Sequence, residues 1–243
     1  MLKNYKITVC YDGTDYHGWQ IQPRKKTIQG VIEDALYLFK SKRIKLIGAG
    51  RTDAGVHAAA QVAHFKADLD YAEDELRRAL NGNLPPDIRI IKVETVEKDF
   101  HARKQAQSKI YQYRICNSPE ITPFEIRYTL YYPAPLDIQK MKEAASLFIR
   151  EDDFTSFSSN RLRNPVKNVV RSEVKKQGKM ILYTVEADGF LIYMARTMAG
   201  GLLAAGRGKI APEQIDRLFK EKKRSPLTPT APARGLCLLK VIY

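Results

Sequence analysis

The hydrophobic pattern of this chain switches repeatedly between the two-residue period of a strand and the 3.6-residue period of a helix. Residues 5–11 alternate apolar and polar side chains and end at Asp12-Gly13, which predicts a strand followed by a turn. Apolar side chains then recur at helical spacing up to residue 39, with Thr27 as the N-cap. Further strand patterns lie at 44–48, 62–65 and 88–96, with a second helix pattern at 71–80. This order predicts a split βαβ unit.

A similar order recurs after residue 104. The predicted strands lie at 110–116, 128–132, 169–176, 180–187 and 236–241, and the predicted helices lie at 137–148, with Asp137 as cap, and from residues 192 and 212. The two central strands of that half form a hairpin at Gln177-Gly178-Lys179. We therefore predict an α+β protein with one α/β half over residues 1–104 and another over residues 105–243.

Residues 50–58, which read GRTDAGVHA, follow the strand predicted at 44–48 and are the most informative stretch for a catalytic site. Asp53 lies between Arg51 and the small residues Ala54 and Gly55, so a flat substrate could approach its carboxylate closely. This arrangement suits a carboxylate nucleophile or base beside a guanidinium. The alternative is a surface turn in which Arg51 and Asp53 form a weak ion pair, worth about 0–1 kcal/mol. Spacing leaves both open.

The charge balance favours a polyanionic partner. The chain has 41 Lys plus Arg against 27 Asp plus Glu, a net charge of +14. No acidic residue occurs at 101–119 or at 154–172, and both stretches are rich in Lys and Arg. Contacts from such stretches to phosphates position a nucleic acid and make its binding salt dependent. The alternative is a basic protein without a nucleic-acid partner.

Cysteine, histidine and glycine patterns point to no cofactor. Cys10, Cys116 and Cys237 are odd in number and widely spaced, so we expect buried free thiols rather than a disulfide or zinc framework. His57 and His64 are interpreted as structural, and no metal site is expected. The N-terminus lacks a signal-peptide pattern, and the longest apolar run, 191–206, is shorter than the ~20 residues needed to span a bilayer. We expect a cytoplasmic protein without membrane association.

Arg196 is the only charged residue in 189–206, which predicts that it is buried. A buried arginine needs a partner, and Asp53 is the candidate carboxylate. Pairing with Asp188, or extension of the side chain to solvent at the helix end, are the alternatives. On the strand at 110–116, Tyr111 and a second tyrosine two residues later point to one face. They either line a cleft or are half-buried sheet residues.

Residues 50–58 closely resemble the signature of the tRNA pseudouridine synthase A family. Companion segments occur in the family's order at 100–103, 111–115, 153–157, 190–196 and 233–236, so the resemblance spans nearly the whole chain. The resemblance implies two ferredoxin-like halves that share a mostly antiparallel central sheet, with helices on one face and an RNA cleft on the other. It also implies a homodimer that binds tRNA.

The resemblance implies that Asp53 is the catalytic nucleophile, that Arg196 lies against it, and that Tyr111 packs on the target base. Arg51 would fill the space left by a uridine flipped out of the RNA, and the isomerisation would need neither metal nor cofactor. The implied substrates are uridines at positions 38 to 40 of the tRNA anticodon stem-loop. Alternatives from other classes are a non-catalytic RNA-binding or RNA-chaperone protein and a metal-dependent hydrolase that uses Asp53 with His57.

The implied RNA contacts fall in two segments. One consists of Phe100, His101, Ala102, Arg103 and Lys104, and the other is a loop of Asn160, Arg161, Leu162, Arg163 and Asn164. The loop is shorter than in familiar members, which leaves open whether Arg161 or Arg163 makes the contact.

Overall fold

The computed structural model describes residues 1–40, 42–159 and 164–243, and it divides into two compact units. The first unit comprises residues 1–107 and 238–243, and the second comprises residues 108–237. In the described residues the strands are β1 Lys3–Tyr11, β2 Ile47–Gly48, β3 His57–Ala67, β4 Ile88–Val96, β5 Ser108–Cys116, β6 Leu130–Tyr131, β7 Glu151–Asp153, β8 Val166–Gln177, β9 Met180–Ala187 and β10 Leu236–Ile242. The helices there are α1 Ile28–Lys40, α2 Glu73–Asn83, α3 Pro123–Ile126, α4 Ile138–Ser146, α5 Met194–Gly206 and α6 Gln214–Glu221.

In the first unit, β1 lies between two antiparallel neighbours. The strand order is β4-β1-β3-β10, and the short β2 also pairs with β3. Ile7 pairs with Ala63 on one side and with Val93 on the other, and the alternate residues of β1 are buried. The apolar faces of α1 and α2 are also buried, through Ile32, Leu36, Leu76 and Leu80 among others. The sequence period therefore sets which face of each element forms the core.

In the second unit, β5 and β9 form the centre of the sheet. β5 runs antiparallel to β9, β9 to β8, and β8 to β7, whereas the short β6 is parallel to β5. Asp137 caps α4, since its carboxylate accepts the Lys140 N–H at 3.1 Å. Four aromatic rings, those of Phe148, Phe154, Phe157 and Phe219, pack against one another at one end of this core.

The mixed α+β fold with mostly antiparallel pairing confirms the predicted fold class. The pattern underestimated the length of β3, whose first half contains three successive alanines. Pairing with neighbouring strands there outweighs the weak strand preference of alanine. The pattern overestimated the length of β2, which has two residues instead of the predicted five. The short elements α3 and β7 carry no periodic signal and were not predicted. No helix within the described ranges is long and apolar enough to cross a membrane.

The last strand is the place to test the core of the first unit. Leu238 is fully buried in β10, whereas Lys240 on the same strand is exposed. We expect Leu238→Ala to lower the free energy of unfolding by about 2–5 kcal/mol, since it leaves a cavity, and Lys240→Ala to change it by less than about 0.5 kcal/mol. Urea unfolding followed by circular dichroism measures both, and equal effects of the two substitutions would contradict the burial of this strand.

Candidate active site

Three hydrogen bonds fix the loop of residues 49–56, which connects β2 to β3 and carries Asp53. The Trp19 N–H donates to the Thr52 carbonyl at 3.1 Å, the hydroxyls of Tyr11 and Thr52 lie 2.8 Å apart, and the Gly55 N–H donates to the Tyr16 carbonyl at 3.2 Å. Thr52 is buried by these contacts. Its neighbours in sequence are more accessible: Arg51 is exposed and Asp53 is half-buried. The loop thus presents a carboxylate and a guanidinium from a fixed backbone.

The segment of residues 12–19 packs against this loop so closely that two of its positions admit only glycine. Gly18 has φ +84°, and a Cβ there would lie 2.5 Å from the Thr52 carbonyl oxygen and 3.1 Å from the Asp53 carbonyl carbon. A Cβ on Gly13 would lie 2.0 Å from the Val56 carbonyl oxygen. Both distances are too short for a side chain, so direct backbone contact fixes the position of Asp53.

His57 belongs to the framework of this loop. Its Nδ1 lies 3.1 Å from the Gly13 N–H and 3.1 Å from the Asp12 carboxylate, and its Nε2 is buried. The ring therefore links the end of β1 to the start of β3. The part of the chain that the structure describes contains no group of three or more His, Cys, Asp or Glu side chains able to hold a metal ion.

Arg196 lies in the first turn of α5 and is half-buried, whereas the sequence predicted a buried side chain. Its Nε donates to the Ala231 carbonyl at 2.8 Å, and its guanidinium lies 4.9 Å from the centre of the Tyr193 ring. The Ala231 N–H donates in turn to the Arg196 carbonyl at 3.1 Å. Tyr193 has φ +63° and precedes the helix, which therefore begins at residue 194 and not at 192. Asp188, the alternative partner, accepts the Asn168 N–H.

The two tyrosines of β5 differ in their contacts. Tyr111 is 6% exposed, and its ring meets the Phe190 ring edge to face, with centroids 4.9 Å apart. Tyr113 is fully buried and donates its hydroxyl to the Pro232 carbonyl at 2.8 Å. Burial raises the pKa of Tyr113, although nearby arginines oppose the shift, so this phenol stays neutral. The contact of Phe190 with Tyr111 was not predicted, although Phe190 opens the segment 190–196 that carries Arg196.

The segment from Phe100 to Lys104 is anchored at its centre. The Ala102 N–H donates to His64 Nδ1 at 3.1 Å, and the Ala102 carbonyl accepts the Tyr243 hydroxyl at 2.7 Å. Arg103 and Lys104 are exposed. Of the second predicted RNA-contact segment, Asn164 is exposed, whereas residues 160–163 lie outside the described residues. The structure therefore presents two basic side chains from a fixed backbone next to β3.

Comparison with known proteins identifies the family. The family profile described as tRNA pseudouridine synthase matches residues 7–103 and 144–243. The tRNA pseudouridine synthase A of Thermodesulfovibrio yellowstonii is 44% identical over 257 residues, covering all of both chains. The protein of the same name from Pseudothermotoga lettingae is 42% identical over 245 residues, covering all of both chains. The one from Geobacillus kaustophilus is 39% identical over 246 residues, covering all of this chain and 95% of its own.

The chain belongs to the tRNA pseudouridine synthase A family. The family resemblance predicted from residues 50–58 and their companions is thereby confirmed, and with it the assignment of this chain to the isomerases that act on tRNA. The profile covers the Asp53 loop, the segment 100–103 and Arg196, whereas Tyr111 lies between the two matched ranges.

The close approach at Gly18 predicts how the synthase responds to a single added methyl group. Gly178, in the β8–β9 turn, also has positive φ but nothing within 4 Å of an added Cβ. We expect Gly178→Ala to cost about 1–2 kcal/mol of stability, from backbone strain alone. Gly18→Ala should cost more and displace the Asp53 loop, lowering the rate of pseudouridine formation on the order of 100-fold. Melting and single-turnover assays measure both, and equal activity of the two variants would contradict the proposed rigidity of the loop.

His64 predicts a second measurable property. Burial, followed by the neighbouring His101 and Lys66, lowers the pKa of His64 to about 4. Because that value lies below the ordinary 6.5, protonation favours the unfolded chain. The stabilisation by neutral His64 is therefore complete above about pH 6.5 and is lost as the pH falls toward 4.

We expect the wild-type synthase to lose more unfolding free energy between pH 7 and pH 4.5 than His64→Asn, whose amide oxygen can still accept the Ala102 N–H. Urea titrations at the two pH values give the losses. If both proteins lost the same free energy, His64 would not be the group that titrates.

Proposed function

We propose that this synthase converts uridine to pseudouridine at positions 38 to 40 of the tRNA anticodon stem-loop, with Asp53 as the nucleophile. The observation that supports Asp53 is the geometry of its loop. The carboxylate is half-buried on a backbone fixed through Thr52, and the following residues, Ala54 and Gly55, add almost no bulk beside it. A nucleoside can therefore approach this carboxylate more closely than it could approach one surrounded by large side chains.

The proposed reaction breaks the bond between the uracil nitrogen and the ribose and joins the ribose to a ring carbon, which then loses its proton while the nitrogen gains one. The reaction therefore involves no net oxidation. A uracil inside a stacked helix cannot turn over in this way, so the target uridine must first be flipped out of the stack. Asp53 attacks the sugar or the base, or assists elimination at the sugar, and each route requires an ionised carboxylate.

Arg196 and Tyr111 are proposed to complete the catalytic centre. The bond from Arg196 Nε to Ala231 and the stacking on Tyr193 restrict the orientation of the guanidinium, as a partner for a carboxylate requires. We assign that carboxylate to Asp53, and an arginine beside it would keep Asp53 charged. Tyr111, with its ring plane set by Phe190, packs on the extruded base, a contact worth roughly 1–3 kcal/mol.

The remaining assignments concern the RNA and the assembly. Arg51 is exposed next to Asp53, as a residue must be if it is to enter the space left by the flipped uridine. Arg103 and Lys104 contact the RNA backbone, and the segment 160–164 supplies a further contact. We propose that the synthase acts as a homodimer in the cytoplasm, without metal or cofactor. The net charge of +14 supports a partner as highly charged as tRNA.

The direct test is incubation with unmodified tRNA transcripts followed by mapping of pseudouridine. We expect modification at one or more of positions 38, 39 and 40 by the wild type. Asp53→Asn should abolish it and leave tRNA affinity within about threefold, because the amide keeps the shape but not the nucleophilicity of the carboxylate. Asp70→Asn, at an exposed position of the same unit, is the matched control and should retain full activity.

Three outcomes separate the alternatives. Pseudouridine formation by Asp53→Asn would refute Asp53 as the nucleophile. Modification confined to uridines outside the anticodon arm would refute the proposed target positions. Tight tRNA binding by a wild-type protein that forms no pseudouridine in any transcript would favour the non-catalytic RNA-binding alternative, whose basic segments are the same.

A further inference from the structure

A depression of about 390 Å³ in the first unit lies beside the segment 100–104 and is bounded by β2 and by the end of β3. It is lined by Lys45, Ile47, His64, Phe65, Lys66, Asp99, Phe100 and His101. We propose that this depression binds a phosphodiester group of the tRNA backbone, with Lys45, Lys66 and His101 as the contact residues. The proposal rests on the proposed function, since it adds Lys45 and Lys66 to the contacts with the same RNA that the family resemblance already implies for His101.

Two lysines at the edge of the depression carry charge that the protein does not neutralise. Lys45 and Lys66 are both exposed, and neither forms an ion pair within residues 1–40, 42–159 and 164–243. Two lysines of adjacent strands, Lys6 and Lys92, instead share the carboxylate of Glu94 at 3.0 and 2.8 Å. With Asp99 the only acidic residue in the lining, the depression is net positive. Such unneutralised lysines bind phosphates with release of counterions.

His101 adds a hydrogen-bond donor of fixed position. Its Nδ1 accepts the N–H groups of Arg103 and Lys104 at 3.2 and 3.3 Å, so the ring hydrogen is carried by Nε2. The ring also packs against His64, with centroids 4.9 Å apart. Because the neighbouring backbone holds Nδ1, the Nε2–H is available to a phosphate oxygen without a change in protonation.

Part of the lining is apolar. Ile47 and Phe100 are half-buried, and Ile47 lies opposite His64 in the β2–β3 pairing. His64 in turn accepts the Ala102 N–H, which links this strand pair to the segment 100–104. Apolar side chains beside the lysines strengthen their attraction for an anion, and the strand pairing and the Ala102–His64 hydrogen bond hold this lining in place before binding.

The position of the depression favours the RNA backbone over a free anion. Arg103 and Lys104 are exposed directly after His101, so the lysines of the depression extend that basic segment toward β2. Beyond β2 the chain continues into the loop that carries Asp53. A polyanion that follows this surface contacts charges from both chain segments at once, whereas a single phosphate ion contacts only those in the depression.

The test is the salt dependence of tRNA binding to Lys45→Gln/Lys66→Gln. Loss of this one phosphate contact should reduce the slope of log affinity against log salt concentration by about 0.7–0.9 and weaken binding about tenfold at low salt. The turnover rate at saturating tRNA should stay within about twofold, because neither lysine belongs to the proposed catalytic centre. The matched control, Lys142→Gln/Lys209→Gln, removes the same charge from exposed positions of the second unit and should leave the slope unchanged.

His101→Asn gives an independent check, since the asparagine oxygen can still accept the two backbone N–H groups while the Nε2–H is lost. We expect affinity to fall about threefold with an unchanged salt slope, because a neutral donor releases no counterion. A salt slope of Lys45→Gln/Lys66→Gln equal to that of the control variant would overturn the proposal. Loss of inorganic phosphate binding by the double variant, with tRNA binding intact, would also overturn it in favour of a free-anion site.

These binding measurements do not depend on catalysis, so the two proposals fail separately. A wild-type protein that binds tRNA with the expected salt slope but forms no pseudouridine would refute the proposed function and leave the phosphodiester site standing. A wild-type protein that forms pseudouridine, together with a Lys45→Gln/Lys66→Gln variant whose tRNA binding is unchanged, would refute the phosphodiester site and leave the proposed function standing.

Discussion

The contacts of Thr52 are the constraint on which the proposed chemistry depends. Its carbonyl accepts the Trp19 N–H and its hydroxyl bonds with that of Tyr11, so one buried residue ties the loop to two parts of the first unit. Thr52 itself is buried, whereas its neighbours Arg51 and Asp53 are exposed and half-buried. Gly18 then permits the close backbone packing that holds the loop in position. Backbone contacts therefore fix the loop that carries Asp53, the proposed nucleophile.

The second unit positions its charged residue in a comparable way. Arg196 and Ala231 exchange two hydrogen bonds, one of them through the guanidinium, and the Tyr193 ring stacks on the same group. Tyr193 holds a left-handed backbone conformation, uncommon for a residue with a large side chain, at the point where α5 begins. Each unit thus presents one side chain of the proposed centre from a rigid local framework, which favours catalysis by orientation over catalysis by flexible groups.

Periodicity predicted the elements that have a strong local signal. The bounds of β4 and the cap of α4 at Asp137 follow from alternation and from a side chain that bonds within its own turn. Contacts between residues distant in sequence were beyond reach, such as Arg196 with Ala231 or Ala102 with His64. The half-burial of Arg196 was missed for a different reason: the apolar sequence around it does not show that Tyr193, whose ring lies against the guanidinium, is itself exposed. The proposal that Asp53 is the reactive carboxylate came from the family resemblance, because Arg51 and Asp53 alone fit an ordinary surface turn equally well.

The central claim is that an ionised Asp53, paired with Arg196, meets a uridine that has left its stack. A crystal structure of the synthase bound to a tRNA anticodon arm tests this claim most directly. We predict an extruded uridine against Tyr111, with the Asp53 carboxylate within about 3 Å of the Arg196 guanidinium. A complex in which every uridine of the arm stays stacked, or in which the extruded base contacts a surface without Asp53, would contradict the account.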